Sequence, residues 1–250
     1  MRWHPLILIP FLASLAAPVQ AAEPAPMIPP YTATYEAQAY GNRLIAQSTL
    51  SQEGDNLHMA LDAHVSGFLR LLGRFEFSRV AVFRPEAEGL RLLSTRSTQI
   101  TPRRERRTET RFDWDDGHAR GQHNDKPFDV PVPPNTVDFL SSLYLTMTEL
   151  RDGGFDPALQ LAILERDRLR EYRITLGGRE RINTELGRMN TVLVVRKSED
   201  SDVELSGWFA PDLHYLPVRL DYEADGRVYR LELTQIEWHE PLIHLEEVRP

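Results

Sequence analysis

The chain contains no cysteine in 250 residues. That absence excludes a disulfide framework, a thiol nucleophile, thiolate-bound zinc, an iron–sulfur site and a lipid anchor on an N-terminal cysteine. Positive charge is also in deficit. Lys and Arg number 29 against 37 Asp and Glu, a formal net charge of -8. A nucleic-acid binder needs a net or clustered basic surface, so that class is set aside. Beyond the first segment no apolar run approaches the ~20 residues of a spanning helix, so no transmembrane segment is expected once that segment is removed. No internal repeat and no composition shift divides the chain. What remains, 41% hydrophobic and 26% charged, is the composition of an ordinary globular protein.

Residues 1–21 have the form of a cleavable signal peptide. Arg2 supplies a short positive start, residues 5–17 (PLILIPFLASLAA) an apolar stretch, and Val19 and Ala21 the small residues a signal peptidase reads. Export to the periplasm is therefore expected, with cleavage after Ala21. Residues 22–30 (AEPAPMIPP) hold four prolines and read as an extended leader. Residues 31–250 are assigned to a single mainly-β domain, long enough to bury a core without staples.

From Tyr31 onward, period-two alternation between turn clusters dominates. Tyr31, Ala33, Tyr35, Ala37 and Ala39 share one face, and Gly41 with Asn42 suits a hairpin turn. Leu57, Met59, Leu61, Ala63 and Val65 form the cleanest half-buried strand. Phe75, Phe77, Ala81 and Phe83 continue the style, with Arg79 interrupting the face. Residues 90–100, 170–183, 188–197, 203–209, 215–223 and 227–238 also suit strands. In the last of them, Tyr229, Leu231 and Leu233 fall on one phase and Ile236 and Trp238 on the other, the slip that a β-bulge produces.

Residues 135–151 break the pattern. Val137, Leu140, Tyr144 and Met147 recur at helical spacing, and Phe139, Leu143 and Leu150 widen the stripe. Asn135 is positioned as a cap, after Pro133 and Pro134, and Gly153 with Gly154 ends the segment. About ten strands and one broad-striped helix predict a strongly curved antiparallel sheet, or a β-barrel of lipocalin-like or lipoprotein-carrier-like form, packed around one central α-helix.

Several blocks carry a resemblance: residues 111–117 (RFDWDDG), 137–144 (VDFLSSLY), 178–184 (GRERINT) with Leu186 and Gly187, 207–212 (GWFAPD) and 216–220 (LPVRL). Their order and spacing resemble the exported bacterial DUF3108 family from about Tyr31 to Glu237. The resemblance implies a periplasmic, mostly β protein and brings no activity and no catalytic residues with it. The family's hydrophobic-Pro-aromatic stretch is replaced here by residues 101–107 (TPRRERR), so nothing tied to that stretch carries over.

No residue set reads as catalytic, metal-binding or cofactor-binding. Asp113, Asp115, Asp116 and His118 crowd one hairpin end, but the EF-hand template fails, with Gly117 fifth and Asn124 twelfth; Asp-Asp-Gly is an ordinary turn. His239, Glu240 and His244 lack the four-residue helical spacing of a zinc protease. His58 and His64 lie roughly 20 Å apart along one strand. Ser141 and Ser142 lie inside the predicted helix without a nucleophile elbow. Two candidate surfaces remain. A curved sheet with a helix can enclose a lipid or acyl-chain ligand, lined by Leu57, Met59, Leu61, Phe75, Phe77, Tyr144 and Met147. Alternatively, Arg103, Arg104, Arg106, Arg107 and Arg111 form the one basic stretch, an anion or partner patch for an envelope scaffold protein without a small ligand.

Overall fold

The computed structural model describes residues 28–39, 42–67, 73–87, 89–198, 201–224 and 226–239. The signal segment, most of the leader, Gly41, Glu240 and His244 lie outside the described residues. A first meander contains β1 (Tyr31–Ala39), β2 (Asn42–Glu53), β3 (Asn56–Gly67), β4 (Glu76–Glu86), β5 (Gly89–Thr101), β6 (Arg104–Asp113), β7 (His118–His123) and β8 (Lys126–Pro131). After β9 (Thr136–Val137) and helix α1 (Phe139–Arg151), a second runs through β10 (Leu159–Glu165), β11 (Arg168–Thr184), β12 (Gly187–Ser198), β13 (Ser201–Ala210), β14 (Leu216–Ala224) and β15 (Arg227–Trp238). β1 pairs with β15, which joins the two meanders into one 15-stranded sheet. Among the described residues every pairing is antiparallel except that of β9 with β10.

The sheet is open, with β8 and β9 at its edges, so the curved-sheet form of the expectation holds and a closed barrel does not. Curvature still brings the far strands together. Ala119 of β7 and Val132 just beyond β8 pack against Leu164 of β10, with Phe112 and Leu169 beside them. Side chains, not ladder hydrogen bonds, seal the curl. The inward faces of both meanders supply the main core, in which Tyr31, Leu50, Phe83, Leu92, Leu216 and Leu233 are fully buried. Ile28, read from sequence as leader, is 1% exposed and part of that core.

The phase slip in β15 is a bulge. Thr34 faces Gln235 but Tyr35 faces Leu233, so Thr234 is the extra residue, and its hydroxyl donates to the Thr34 carbonyl at 3.2 Å. The bulge returns Ile236 and Trp238 to the core face already occupied by Leu231 and Leu233, and Trp238 meets Tyr31 edge-on.

The helix starts later than its sequence pattern suggested. Thr136 and Val137 are drawn into the parallel bridge with β10, and Asp138, not Asn135, is the N-cap. Its carboxylate accepts from the Ser141 amide at 2.8 Å, while the Ser141 hydroxyl accepts from the Asp138 amide at 2.8 Å. Replacing Asp138 with Ala should cost ~1–2 kcal/mol, seen in urea unfolding as a lower midpoint at unchanged slope.

Burial also pushes the Tyr31 and Tyr144 phenols up to about 12. The unfolded chain then loses these protons first as pH rises past the ordinary value of 10.0. Their stabilising contribution is intact below that pH and is lost as pH climbs towards 12. Tyrosinate absorbance and loss of far-UV signal should accordingly rise together over that window.

Candidate functional site

The two faces of α1 meet different surroundings. Leu140, Tyr144 and Met147 are buried with Leu57, Met59, Phe83 and Leu92 of the first meander, and the Phe83 and Tyr144 rings lie 5.0 Å apart. A neighbouring face presents Phe139, Ser142, Leu143 and Thr146, at i, i+3, i+4 and i+7, to the second meander. There Ile174, Val194, Leu205, Gly207, Phe209 and Leu220 leave a crevice with about 30 Å³ of free volume. Gly207 lines the crevice where there is no room for a side chain. A Cβ at that position would stand 2.6 Å from the Phe209 ring.

Strand register extends this lining sideways. Ile174, Arg196, Leu205, Tyr222 and Tyr229 stand opposite one another in turn on β11 to β15, one transverse row on the inner face. Its outer members are not covered: Tyr222 is 44% and Tyr229 46% exposed, with ring centroids 6.4 Å apart. An apolar strip thus runs from the crevice out to solvent.

The crevice's polar groups are nearly all spent. The Ser142 hydroxyl donates to the Phe139 carbonyl and the Thr146 hydroxyl to the Ser142 carbonyl, both at 2.8 Å. Arg196 is the exception. Its guanidinium carbon sits 5.1 Å from the Phe139 ring centroid and 4.9 Å from that of Tyr172, and its buried Nε has no hydrogen-bond partner. Burial, above all, lowers its pKa from the ordinary arginine value. A guanidinium does not deprotonate in a protein, so the charge remains, its desolvation offset in part by the two rings and by Glu165. Glu165 is the nearby carboxylate, and it accepts from the Tyr172 hydroxyl at 2.6 Å and pairs with Arg170 at 3.5 Å. Burial and that hydrogen bond together push the Tyr172 phenol up to about 12. From the first meander Arg79 reaches the same Phe139 ring, 5.7 Å from its centroid and 5.5 Å from that of Phe77. Arg79 forms no ion pair among the described residues.

Of the side chains expected to line a ligand cavity, Leu57, Met59, Tyr144 and Met147 are fully packed core, and Leu61 is half-buried against it. Phe75 precedes β4, and its carbonyl accepts from the Val65 amide. Phe77 borders a wider groove of about 260 Å³, shared with Asp62, Ala63, His64, Glu76, Ser78 and Ile100. None of the seven lines the crevice. The arginine run is divided by strand alternation: Arg104 and Arg106 point to one side of β6, Arg107 and Arg111 to the other, and Arg103 precedes the strand. Arg107 pairs with Glu105 at 2.6 Å, and Arg106 donates to Gln99 at 3.4 Å.

The aspartate cluster closes the turn between β6 and β7. Arg120 binds Asp113, Asp116 and Asp129, and His118 also contacts Asp129. The hydrogen bond from Arg120 holds the Asp116 carboxyl below its ordinary range; those from His118 and then Arg120 do the same for Asp129. These carboxylates are occupied by cations of the chain itself. Among the described residues no group of three or more His, Asp or Glu is arranged to hold a metal ion.

Residues 31–234 match a family model described as "Protein of unknown function (DUF3108)". No curated protein matches the chain. Among solved structures, it is similar to a beta-barrel-like protein of domain of unknown function DUF1849 from Brucella abortus, at 9% identity and a TM-score of 0.60, over 85% of this chain and 99% of that one. At that identity the likeness concerns the fold.

The unequal packing on the two sides of α1 has a measurable consequence. Leu57→Ala should cost ~2–5 kcal/mol, the range for a filled core position. Leu205→Ala and Leu220→Ala, on the side already partly open, should each cost clearly less in the same denaturant titration.

Proposed function

The chain belongs to the DUF3108 family, a premise that brings no activity with it, and we propose from its geometry that it is a non-catalytic binding module of the cell envelope for an apolar, lipid-like ligand. Export to the periplasm through residues 1–21 is part of the same proposal. The observation that carries it is the inner-face strip from Leu205 and Leu220 to the exposed rings of Tyr222 and Tyr229, continuous with the crevice beside α1. Water wets large apolar side chains there at a cost of roughly 25 cal/mol per Å². A ligand laid along them would recover that cost.

The free volume of about 30 Å³ admits little more than the end of such a ligand. Most of the ligand would therefore lie on the strip, held from one side by the sheet and in reach of solvent on the other. Strand addition by a protein partner is less favoured at β8, because Pro127, Pro131 and Lys126 blunt that edge.

Titration with a fluorescent polyene fatty acid tests the reading. The folded protein should give a saturable emission gain. The double replacement Tyr222→Ser and Tyr229→Ser should weaken binding about tenfold with only a small fall in Tm, since both rings are nearly half exposed. No emission gain with the unaltered protein, together with native mass spectra of bare chain after gentle isolation, would contradict it.

A further inference from the structure

Arg196 is a costly residue for its place. It occupies an inward position of β12, two residues after the buried Val194, and lies between two aromatic rings. Cation–π contacts return about 0.5–2 kcal/mol each. Exchange of a buried ionic group for a well-packed apolar one of similar volume is often neutral or stabilising. Stability alone therefore gives no reason for an arginine here. Arg79 repeats the situation from the other meander, interrupting the inward series Phe77, Ala81, Phe83 and ending on the same Phe139 ring. The two cations repel each other, and Arg79 is among the influences that lower the Arg196 pKa. Neither forms an ion pair or a side-chain hydrogen bond among the described residues, and Glu165 acts on Arg196 only at longer range. Two guanidinium groups without an ion pair among the described residues thus border one crevice-lining ring, Phe139, a place complementary to an anion.

We infer that Arg196 and Arg79 form a seat for the anionic head, carboxylate or phosphate, of a single-chain amphiphile whose tail crosses the strands over Leu205, Tyr222 and Tyr229. This inference rests on the binding role proposed above and specifies the ligand's chemistry. The head would pair with the guanidinium of Arg196, whose buried Nε lacks a partner, neutralise the repulsion between the two arginines and leave Glu165 with Tyr172 and Arg170. The tail's span follows from register. Arg196 and Tyr229 are separated by three strand spacings of ~4.8 Å, roughly 14 Å in all, the reach of an acyl chain of about ten to twelve carbons.

Calorimetric titration of the full chain with dodecanoate, dodecyl phosphate, dodecanol, acetate and inorganic phosphate, with the amphiphiles below micellar concentration, separates the possibilities. Dodecanoate and dodecyl phosphate should bind at least tenfold more tightly than dodecanol, and acetate and inorganic phosphate at least a hundredfold more weakly than either. Arg196→Met should bring dodecanoate down to the affinity of dodecanol, leave dodecanol unchanged and not lower Tm. Arg79→Gln, at a partly exposed position, should weaken dodecanoate at least threefold.

Equal affinity for dodecanoate and dodecanol would overturn the anion seat while leaving the apolar site standing. Failure of all three amphiphiles would overturn both. Tight competing binding of inorganic phosphate would reassign the arginines to a small free anion. A marked fall in Tm for Arg196→Met would show that the guanidinium serves the fold.

Discussion

A helix of 13 residues is ~20 Å long and about 10 Å across, and the concavity that holds it belongs to a sheet of fifteen strands. One such rod cannot cover that inner face. The chain spends the helix unevenly, burying Leu140, Tyr144 and Met147 against the first meander and leaving Phe139 and Leu143 beside a crevice on the second. The rest of the architecture serves this arrangement. The bulge at Thr234 keeps the last strand's apolar residues on the concave side, and Asp138 fixes where the helix begins. The small cluster of Ala119, Val132 and Leu164 holds the curl without closing the hydrogen-bond ladder.

Much of this was legible from residue order. Alternation located most strands, and the phase change between Leu233 and Ile236 marked the bulge. The helical stripe was visible, but its first turn was not. Thr136 and Val137 are held in β9 by pairing with Ala162 and Ile163, a contact that sequence spacing does not reveal. Residues 159–165 form a buried strand whose near-continuous apolar run carries no alternation. β7 and β8 are six residues each, too short for a strong pattern. Openness of the sheet depends on the two edge strands failing to pair, which no local signal encodes.

The candidate site was legible only in part. Period two gave the inward residues of β3 and β4, and a cavity lining was read from them. The structure spends most of those side chains on core packing, because the helix leans to their side. One interruption was visible in the sequence without being read as a site: Arg79, charged where its neighbours two residues away are apolar. Arg196 stands in the same relation to Val192 and Val194. Its meaning emerges only when Phe139 brings the two strands' arginines to one ring. The basic stretch at Arg103 to Arg111 drew attention by density, yet alternation splits it between two faces. Position relative to the core was more informative than number of charges.

The two sides of α1 differ, one filled and one, by the proposed binding role, receptive. Amide hydrogen exchange read by mass spectrometry, with and without saturating dodecanoate, tests this difference most directly. Exchange should slow in α1 and across β12 to β15, with at most a local effect around Arg79 in β4 and none in β3 or β5. Protection centred on β3 and β5, or none anywhere at saturation, would contradict it.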